Sequence, residues 1–303
     1  MTTGSATEAI QTPATAKSPQ THHGRVPTSS RMRSAFTHAA LIVFVLLMLY
    51  PLLWMLVSAF KPGHLVLTEP GLIPKQFTFR NFVEGWNILN QPFSIFFINS
   101  LIVSVGAIVG NLFSCSLTAY ALARMEFRMR KVYLAITLGA VMLPIHALII
   151  PQYIVFSKLH LVNTYVPLLL PKFLGTDAFF VFLMVQFIRT VPRDLDRAAW
   201  IDGAGPFRTF WSVILPLMRP ALVTTTIFTF IWTWNDFFVP LIYLTRTGAF
   251  TVPVALNSMV SAENQSGIGM LFAMSLISLL PILVFFALAQ RHLVRGIATT
   301  GLK

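Results

Sequence analysis

Three adjacent side chains, Trp234, Asn235 and Asp236, combine an aromatic face, an amide and a carboxylate within an apolar segment. Sugars are bound by hydrogen-bonding polar groups together with aromatic faces, so this group is a candidate contact for a sugar-like solute. Asp236 lies roughly 24 Å beyond Pro220 along a helix that rises ~1.5 Å per residue, which predicts a position in the outer half of a membrane span. Alternatively, Asp236 caps an outer helix end or pairs with a neighbouring subunit.

Other polar side chains interrupt two further apolar segments. Lys172 and Asp177 lie in one of them, and His146 lies in the other. Because charges at membrane depth are costly, they normally face a cavity or a partner. We therefore expect Lys172 and Asp177 either to pair with each other in a structural role or to contact solute. His146 could line the same path, or it could be a packed neutral imidazole.

The sequence lacks the motifs of common catalytic sites. It contains no GxxxxGK[ST] phosphate-binding loop, no HExxH zinc motif and no GxSxG nucleophile elbow. The seven His are scattered, and the single Cys, Cys115, lies in an apolar stretch where it should pack as a small apolar side chain. We predict that the chain is not an enzyme and that it holds no catalytic residue, no metal and no cofactor of its own.

The elements that must position these residues are membrane spans. Hydrophobic residues make up 55% of the chain and charged residues only 11%, which is too few for the surface of a soluble domain. A span needs about 20 mainly apolar residues. The segments that satisfy this requirement are 39–60, 96–119, 133–156, 165–188, 222–244 and 267–290. The predicted fold class is therefore an all-α, polytopic membrane protein with six transmembrane helices.

The basic residues are distributed unevenly between the loops. Sixteen of the 22 Lys and Arg fall in the N-terminal tail, 120–132, 189–219 and the C-terminal tail. By the positive-inside rule, these segments and both termini are predicted to be cytoplasmic. The rule also accounts for the net charge of +12, so nucleic acid is not expected as a partner. Polar, basic residues 1–36 are predicted to be a disordered cytoplasmic tail that precedes a transmembrane domain, 37–303.

The cytoplasmic segment between spans four and five is predicted to begin with a short helix. Asp194 suits its N-cap, and Gly203 suits its end. Leu195, Ala198 and Ala199 share one face at helical spacing. Such a small-residue face can insert into a groove of another protein. The alternative is an amphipathic hairpin that only lies on the membrane.

A second short helix is predicted to follow in the same segment. Pro206 suits its first turn, and Pro216 and Pro220 are expected to end it before the next span. An apolar stripe at helical spacing consists of Phe207, Phe210, Trp211 and Ile214.

This segment resembles the "EAA" loop of bacterial importer permeases. The matching positions are Ala198, Ala199, Gly203, Val213, Leu215 and Pro216. Further similarity to carbohydrate-type permeases lies in Ser58-Ala59-Phe60-Lys61-Pro62, Ala119-Tyr120-Ala121-Leu122-Ala123-Arg124 and Trp234-Asn235-Asp236, and the likeness covers roughly 37–303. The chain is most similar to the second permease of maltose-type and glycerol-phosphate-type importers.

The resemblance implies that residues 194–216, here named the coupling loop, dock on an ATPase subunit. The residues expected to form this contact are Asp194, Asp196, Arg197, Ala198, Ala199, Asp202, Gly203, Ala204, Phe207, Leu215 and Pro216. Arg197 stands where the family carries Glu. The acidic contact to the ATPase would therefore come from Asp196 or Asp194, or it would be absent.

The resemblance also implies the partners. The chain would form the translocation path for a sugar or sugar-derived solute in a heterodimer with a second related permease, in the lipid of the bacterial inner membrane. Two ATPase subunits would bind ATP and Mg, and an external solute-binding protein would deliver the solute. One alternative is the same machinery for another solute class, such as amino acids or phosphate esters. Another is a stand-alone secondary transporter, which would need no ATPase and leaves the coupling loop unexplained.

Overall fold

The structure is a computed structural model that describes residues 28–262 and 267–300, and within these ranges it contains helices and no β-strand. The chain divides into two compact units, residues 1–50 and residues 51–303. The described part of the first unit is a single helix, because α1 (Thr28–Ser58) begins there. All side chains of residues 36–50 are exposed and mainly apolar, as expected for a lipid-facing helix.

The predicted N-terminal tail, 1–36, is only partly covered by the structure. Residues 1–27 lie outside the described residues, whereas Thr28 to Phe36 already belong to α1. The helix starts earlier than predicted because Arg, Met and Ala in this stretch favour helix and no Pro or Gly interrupts them. The polar composition marks the residue at which the apolar span begins, whereas α1 itself begins earlier, at Thr28.

The second unit continues α1 and contains all the remaining described helices. These are α2 (Gly63–Thr68), α3 (Arg80–Gly85), α4 (Ser94–Arg124), α5 (Arg130–Val141), α6 (Ile145–Lys158), α7 (Val166–Phe173), α8 (Ala178–Thr190), α9 (Asp194–Ile201), α10 (Pro206–Thr209), α11 (Leu215–Leu217), α12 (Arg219–Trp234), α13 (Phe238–Tyr243), α14 (Val252–Ala262) and α15 (Ile268–Thr300). A π-helical turn, Phe210–Ile214, joins α10 to α11, and a 3₁₀ turn, Thr247–Ala249, follows α13.

Among the residues that the structure describes, four to six segments could cross a membrane by their length and composition. The four that do so alone are Phe36–Ser58, Ser94–Arg124, Val166–Thr190 and Ile268–Gln290. Two bent pairs reach the required length only together, and they are Arg130–Val141 with His146–Lys158 and Pro206–Leu217 with Arg219–Trp234. Five of these segments correspond to the predicted spans 39–60, 96–119, 133–156, 165–188 and 267–290. The predicted fifth span, 222–244, overlaps the second bent pair over 222–234, and the first half of that pair, Pro206–Leu217, lies almost entirely in the coupling loop.

Two spans that were predicted to be continuous are broken. The third, 133–156, is interrupted before α6, where Pro144 is extended with ψ of 128°. The fifth, 222–244, is interrupted by residues 235–237, so that α12 and α13 are separate helices. Apolar composition does not reveal such breaks, because they depend on the rest of the fold. An irregular backbone is tolerated at membrane depth where neighbouring protein supplies the missing hydrogen bonds.

Helix α4 packs against α7, α8 and α12 and is the central helix of the second unit. Two glycines allow its close contact with α7. A Cβ at Gly106 would lie 2.8 Å from Leu169 Cδ2, and one at Gly110 would lie 2.9 Å from Phe173 Cδ2 and 3.1 Å from a backbone carbon of Lys172. Glycines spaced in this way let helices approach closely in membranes. Cys115 on the same helix is fully buried, so it packs as predicted.

We expect Gly110→Ala to lower the stability of the protein in detergent. The added methyl would meet both a ring and backbone, and overpacking of this kind typically costs about 1–3 kcal/mol in the free energy of unfolding. Gly139→Ala is the matched control, because this glycine is also helical and a Cβ added to it would have no atom within 4 Å. Thermal unfolding monitored by size-exclusion chromatography should show a lower midpoint temperature for Gly110→Ala and an unchanged one for Gly139→Ala. Equal midpoints would contradict the close contact.

Candidate coupling loop and solute path

Helix α9 opens the coupling loop, and it begins differently from the prediction. The N-cap position is Arg193, with no side-chain capping bond, and Asp194 is the first helical residue. The predicted N-cap role of Asp194 is therefore wrong. Its carboxylate instead lies 3.2 Å from Arg197 in an exposed ion pair. Acidic residues in the first turn still complement the helix dipole, which explains why an Asp is suited to this end of the helix.

The end of α9 is formed by Gly203, as predicted. Gly203 has a φ of +78°, a left-handed conformation that only glycine adopts without strain. Its N–H donates to the carbonyl of Trp200 at 3.0 Å, and the N–H of Ala204 donates to the carbonyl of Ala199 at 2.9 Å. These two bonds form a Schellman motif, which satisfies carbonyls that the helix end would leave open.

Helix α9 buries Asp196 and Ala199 within the chain. Leu195 and Ala198, which together with Ala199 form the face predicted to insert into a partner, are exposed. The helix turns a carboxylate inward because Arg124, at the end of α4, provides a buried counter-charge. An unpaired buried carboxylate would be costly, but a paired one is tolerated.

Helix α4 holds the coupling loop with its last turns. Arg124 Nε lies 3.1 Å from Asp196 Oδ2, and each of these side chains is 7% exposed. Arg124 Nη2 also donates to the carbonyl of Val191 at 2.6 Å, just before the loop. The hydroxyl of Tyr120 donates to the carbonyl of Pro206 at 3.1 Å, between the two short helices. The loop is thus attached to α4 at Asp196 and Pro206, with a third contact just before it, and Asp196 is already engaged within the chain.

The second short helix begins at Pro206, as predicted, but its apolar stripe is divided. Phe210 and Ile214 are buried, whereas Phe207 and Trp211 are exposed. The reason is the π-helical turn over these residues, whose wider winding changes which side chains share a face.

The helical run that begins at Pro206 ends at Leu217, between the two prolines predicted to end it. Pro216 lies in α11, which continues directly from the π-helical turn, and Pro220 lies in the first turn of α12, where a missing N–H costs nothing. The helical path bends by 75° between Leu217 and Arg219.

The coupling loop presents an exposed apolar surface. Trp200 is 56% exposed, Ile201 87% and Phe207 69%. The remaining loop residues lie around them, with Ala198, Asp202 and Pro216 exposed and Ala204 and Leu215 half-buried. Large apolar side chains surrounded by charges are typical of a protein-interaction surface.

A cavity of about 420 Å³ separates this loop from the end of α4. Its lining combines aromatic side chains with charges of both signs. The lining residues are Tyr120, Arg124, Met125, Glu126, Arg193, Asp196, Arg197, Trp200 and Pro206.

Lys172 and Asp177 form an ion pair at the break between α7 and α8. Lys172 Nζ lies 2.9 Å from Asp177 Oδ2, and both side chains are partly exposed. Asn111 of α4 donates to the same carboxylate oxygen at 2.7 Å and also contacts Thr229 Oγ1 of α12 at 3.1 Å. The pairing that we expected is present, and it belongs to a network that joins α4, the broken span and α12.

Two more candidate path residues contact the start of α13. Asp236 Oδ1 accepts a bond of 3.2 Å from the N–H of Val239, in the first turn of α13, and lies within electrostatic range of Lys172. The ring of His146 meets Phe238 edge-on, with centroids 4.5 Å apart. The structure therefore gathers His146 and Asp236 at the start of α13. The bond from Val239 agrees with the alternative in which Asp236 caps a helix, although the N-cap position of α13 itself is Phe237.

Trp234 and Asn235 are placed elsewhere. Trp234 is 3% exposed and packs between Phe230, at a centroid distance of 5.6 Å, and Phe97, at 6.0 Å. Asn235 is exposed, and its amide donates to the carbonyl of Ile231 one turn earlier at 2.8 Å. The predicted solute contact of Trp234 is not supported by this position, because an indole buried in an aromatic cluster presents no free face.

Sequence reasoning missed three polar side chains that connect distant segments. Arg124 and Asn111 were assigned no role, although a charge or an amide inside a span signals a partner. The third is Asn163, which has a φ of +64°. Its Oδ1 accepts bonds from the N–H and hydroxyl of Thr245 at 2.6 and 2.7 Å and from the N–H of Arg246 at 3.1 Å. This residue ties the turn before α7 to the turn after α13.

Comparison with known proteins gives consistent matches over most of the chain. The chain is 34% identical over 263 residues to the probable ABC transporter permease protein YurM of Bacillus subtilis, covering 87% of this chain and 86% of YurM. It is 30% identical over 272 residues to the diacetylchitobiose uptake system permease protein NgcG of Streptomyces coelicolor, covering 89% of each.

A solved structure supports the fold. It is that of a bacterial ABC transporter involved in the import of the acidic polysaccharide alginate, with a TM-score of 0.76, 22% identity and coverage of 88% of this chain and 98% of that one. The family model for the inner membrane component of binding-protein-dependent transport systems matches residues 102–299. The chain therefore belongs to this family of multi-pass inner-membrane permeases, which work with a partner permease, an ATPase and a binding protein.

Proposed function

We propose that this permease forms part of the translocation path for a sugar or sugar-derived solute and that its coupling loop docks on an ATPase subunit. In the proposed complex, it pairs with a second related permease, two ATPase subunits bind ATP and Mg, and an external binding protein delivers the solute. The chain itself catalyses nothing and binds no cofactor. Both termini and the coupling loop face the cytoplasm, in agreement with the concentration of basic residues there.

The single observation that carries the docking role is the exposed apolar surface of the coupling loop. Trp200, Ile201 and Phe207 are held outward by a loop that is itself rigidly attached to α4. A stand-alone transporter would leave these side chains in water or against the membrane surface, whereas an ATPase subunit would cover them. Aromatic and large apolar residues are the ones that usually dominate interface energetics.

The proposed solute class is supported by the name of one relative and by the charge balance at the break between α7 and α8. The name of NgcG gives a disaccharide derivative as the solute of that protein. Within this chain, the Lys172 charge at the break between α7 and α8 is balanced by Asp177. A neutralised pair suits a neutral, hydroxyl-rich solute better than an anionic one such as a phosphate ester, which would compete for the ammonium group. His146 and Asp236 at the start of α13 supply further polar groups.

Co-purification tests the proposed function directly. A tagged full-length chain, extracted from its own host in mild detergent, should bring an ATPase subunit and a second permease in stoichiometric amounts. ATP hydrolysis by this complex in proteoliposomes should rise when binding protein loaded with diacetylchitobiose or maltose is added. Purification of the chain alone, with uptake unaffected by ATP depletion, would instead support a secondary transporter. Stimulation by sn-glycerol 3-phosphate alone would replace the proposed solute class.

A further inference from the structure

Helix α4 carries polar contacts at three levels along one uninterrupted helix. At one end, Tyr120 and Arg124 hold the coupling loop. In the middle, Asn111 reaches Asp177 at the broken span. At the other end, Asn99 Nδ2 donates to the carbonyls of Gly248 and Phe250 at 3.0 and 2.9 Å. The helix has 31 residues and no Pro, so it is a stiff element about 46 Å long at ~1.5 Å per residue.

We propose that the buried Arg124–Asp196 pair is the joint through which movement of the coupling loop is passed to α4. The two residues are positioning residues, and neither is proposed to touch solute or nucleotide. The inference rests on the proposed function, because it takes the ATPase as the source of the movement. The movement thereby enters the transmembrane region through α4, which is not adjacent to the coupling loop in the chain.

The coupling loop is covalently connected to α8 and α12, so the chain itself provides no direct connection from the loop to α4. The loop follows α8 and precedes α12, and its exit is bent by 75°. Helix α4 packs closely on both α8 and α12, and it holds the start of the loop by a buried charge pair. A pair shielded from water is sensitive to the loss of either partner, so the loop cannot shift without α4 unless the pair is broken. Rigid-body shifts of packed elements are a common form of such transitions.

Arg130 provides a matched comparison for Arg124. Its guanidinium donates to the carbonyls of Leu122 and Ala123 at 2.8 and 3.0 Å, so it caps the same end of α4. It therefore stabilises the helix terminus without bonding to the coupling loop. Substitution of Arg130 removes a basic residue and a cap, whereas substitution of Arg124 also removes the joint.

The test uses the complete transporter in proteoliposomes with Arg124→Gln, Arg130→Gln and the exchange Arg124→Asp with Asp196→Arg. The measured quantities are the amount of ATPase subunit retained, the rate of ATP hydrolysis and the rate of solute uptake. We expect Arg124→Gln to retain the ATPase while the ATP hydrolysed per solute molecule rises about tenfold or more, since hydrolysis is no longer passed to α4. Arg130→Gln should keep the native ratio, and the charge exchange should recover uptake at least several-fold over Arg124→Asp alone.

Other outcomes would overturn the inference. If hydrolysis and uptake fall in proportion in Arg124→Gln, or if the ATPase subunit is lost, the pair only maintains the shape of the loop. If the charge-exchange variant is stably folded but takes up solute no faster than Arg124→Asp alone, uptake does not depend on the pairing of these two residues. These results differ from failure of the proposed function, in which the native chain itself retains no ATPase subunit.

Discussion

Gly203→Val should remove most of the ATPase subunit from the purified complex. Gly203 has a φ of +78°, and a side chain in that region costs about 1–3 kcal/mol, with β-branched residues at the upper end. A cost of about 1.4 kcal/mol already reduces the correctly folded fraction of a two-state element tenfold, provided that the element is marginally stable. The Schellman bonds to Ala199 and Trp200 would open, and Ile201 would leave its position at the docking surface.

Gly205→Val is the control for this result. Gly205 lies in the same loop, has equally open space where a Cβ would be added and has a φ of −71°, which any residue adopts. It also precedes Pro206, and an extended conformation before Pro suits valine. Pull-down with each tagged variant, followed by measurement of the retained ATPase subunit, would distinguish Gly203→Val from Gly205→Val. Retention by Gly203→Val, or equal loss from both variants, would show that the left-handed helix end does not support docking.

Asp177→Asn should be the most destabilising single change among the candidate path residues. It leaves the ammonium of Lys172 without its ion-pair partner in an apolar span, with Asp236 as the remaining carboxylate in electrostatic range, and Asn111 loses a charged acceptor. Breaking a fully buried pair costs about 3–5 kcal/mol, and partial exposure lowers this toward about 2–3 kcal/mol. The thermal midpoint and the yield of the detergent-extracted protein should both fall.

The double variant Lys172→Met with Asp177→Asn shows whether the pair acts only through stability. Removing both charges should restore much of the thermal midpoint, since no charge is then left unpaired. Glu84→Gln, which breaks an exposed ion pair with Arg80, should leave the free energy of unfolding within about 0.5 kcal/mol of the native value. If the double variant is stable and still transports, the pair is structural. A stable double variant without uptake would assign it to the solute path.

The sequence predicted the features that depend on local chemistry. Membrane spans follow from apolar composition, and Gly203 and Pro206 end and begin short helices by their own backbone preferences. The pairing of Lys172 with Asp177 was also foreseeable, because two opposite charges five residues apart in an apolar stretch have strong reason to meet. These predictions needed no knowledge of the rest of the chain.

Features that depend on distant residues could not be predicted in the same way. The inward face of α9 is set by Arg124, which is far away in the sequence, so periodicity alone could not show that Asp196 is buried. The burial of Trp234 depends on Phe97 in another helix. The division of the apolar stripe in the second short helix depends on a π-helical turn, and a residue pattern read at about 3.6 residues per turn cannot show it.

The burial of Cys115 has a practical consequence for chemical labelling. Its thiol is enclosed between α4 and α8, within 3.9 Å of Asn111 Oδ1 and of the Asp177 carbonyl. Thiol reagents require an accessible thiolate, so a maleimide should leave the folded native protein unmodified. A cysteine introduced on the outside could then be tagged without first removing the native one. Conversely, any labelling of Cys115 would directly report the separation of these two helices.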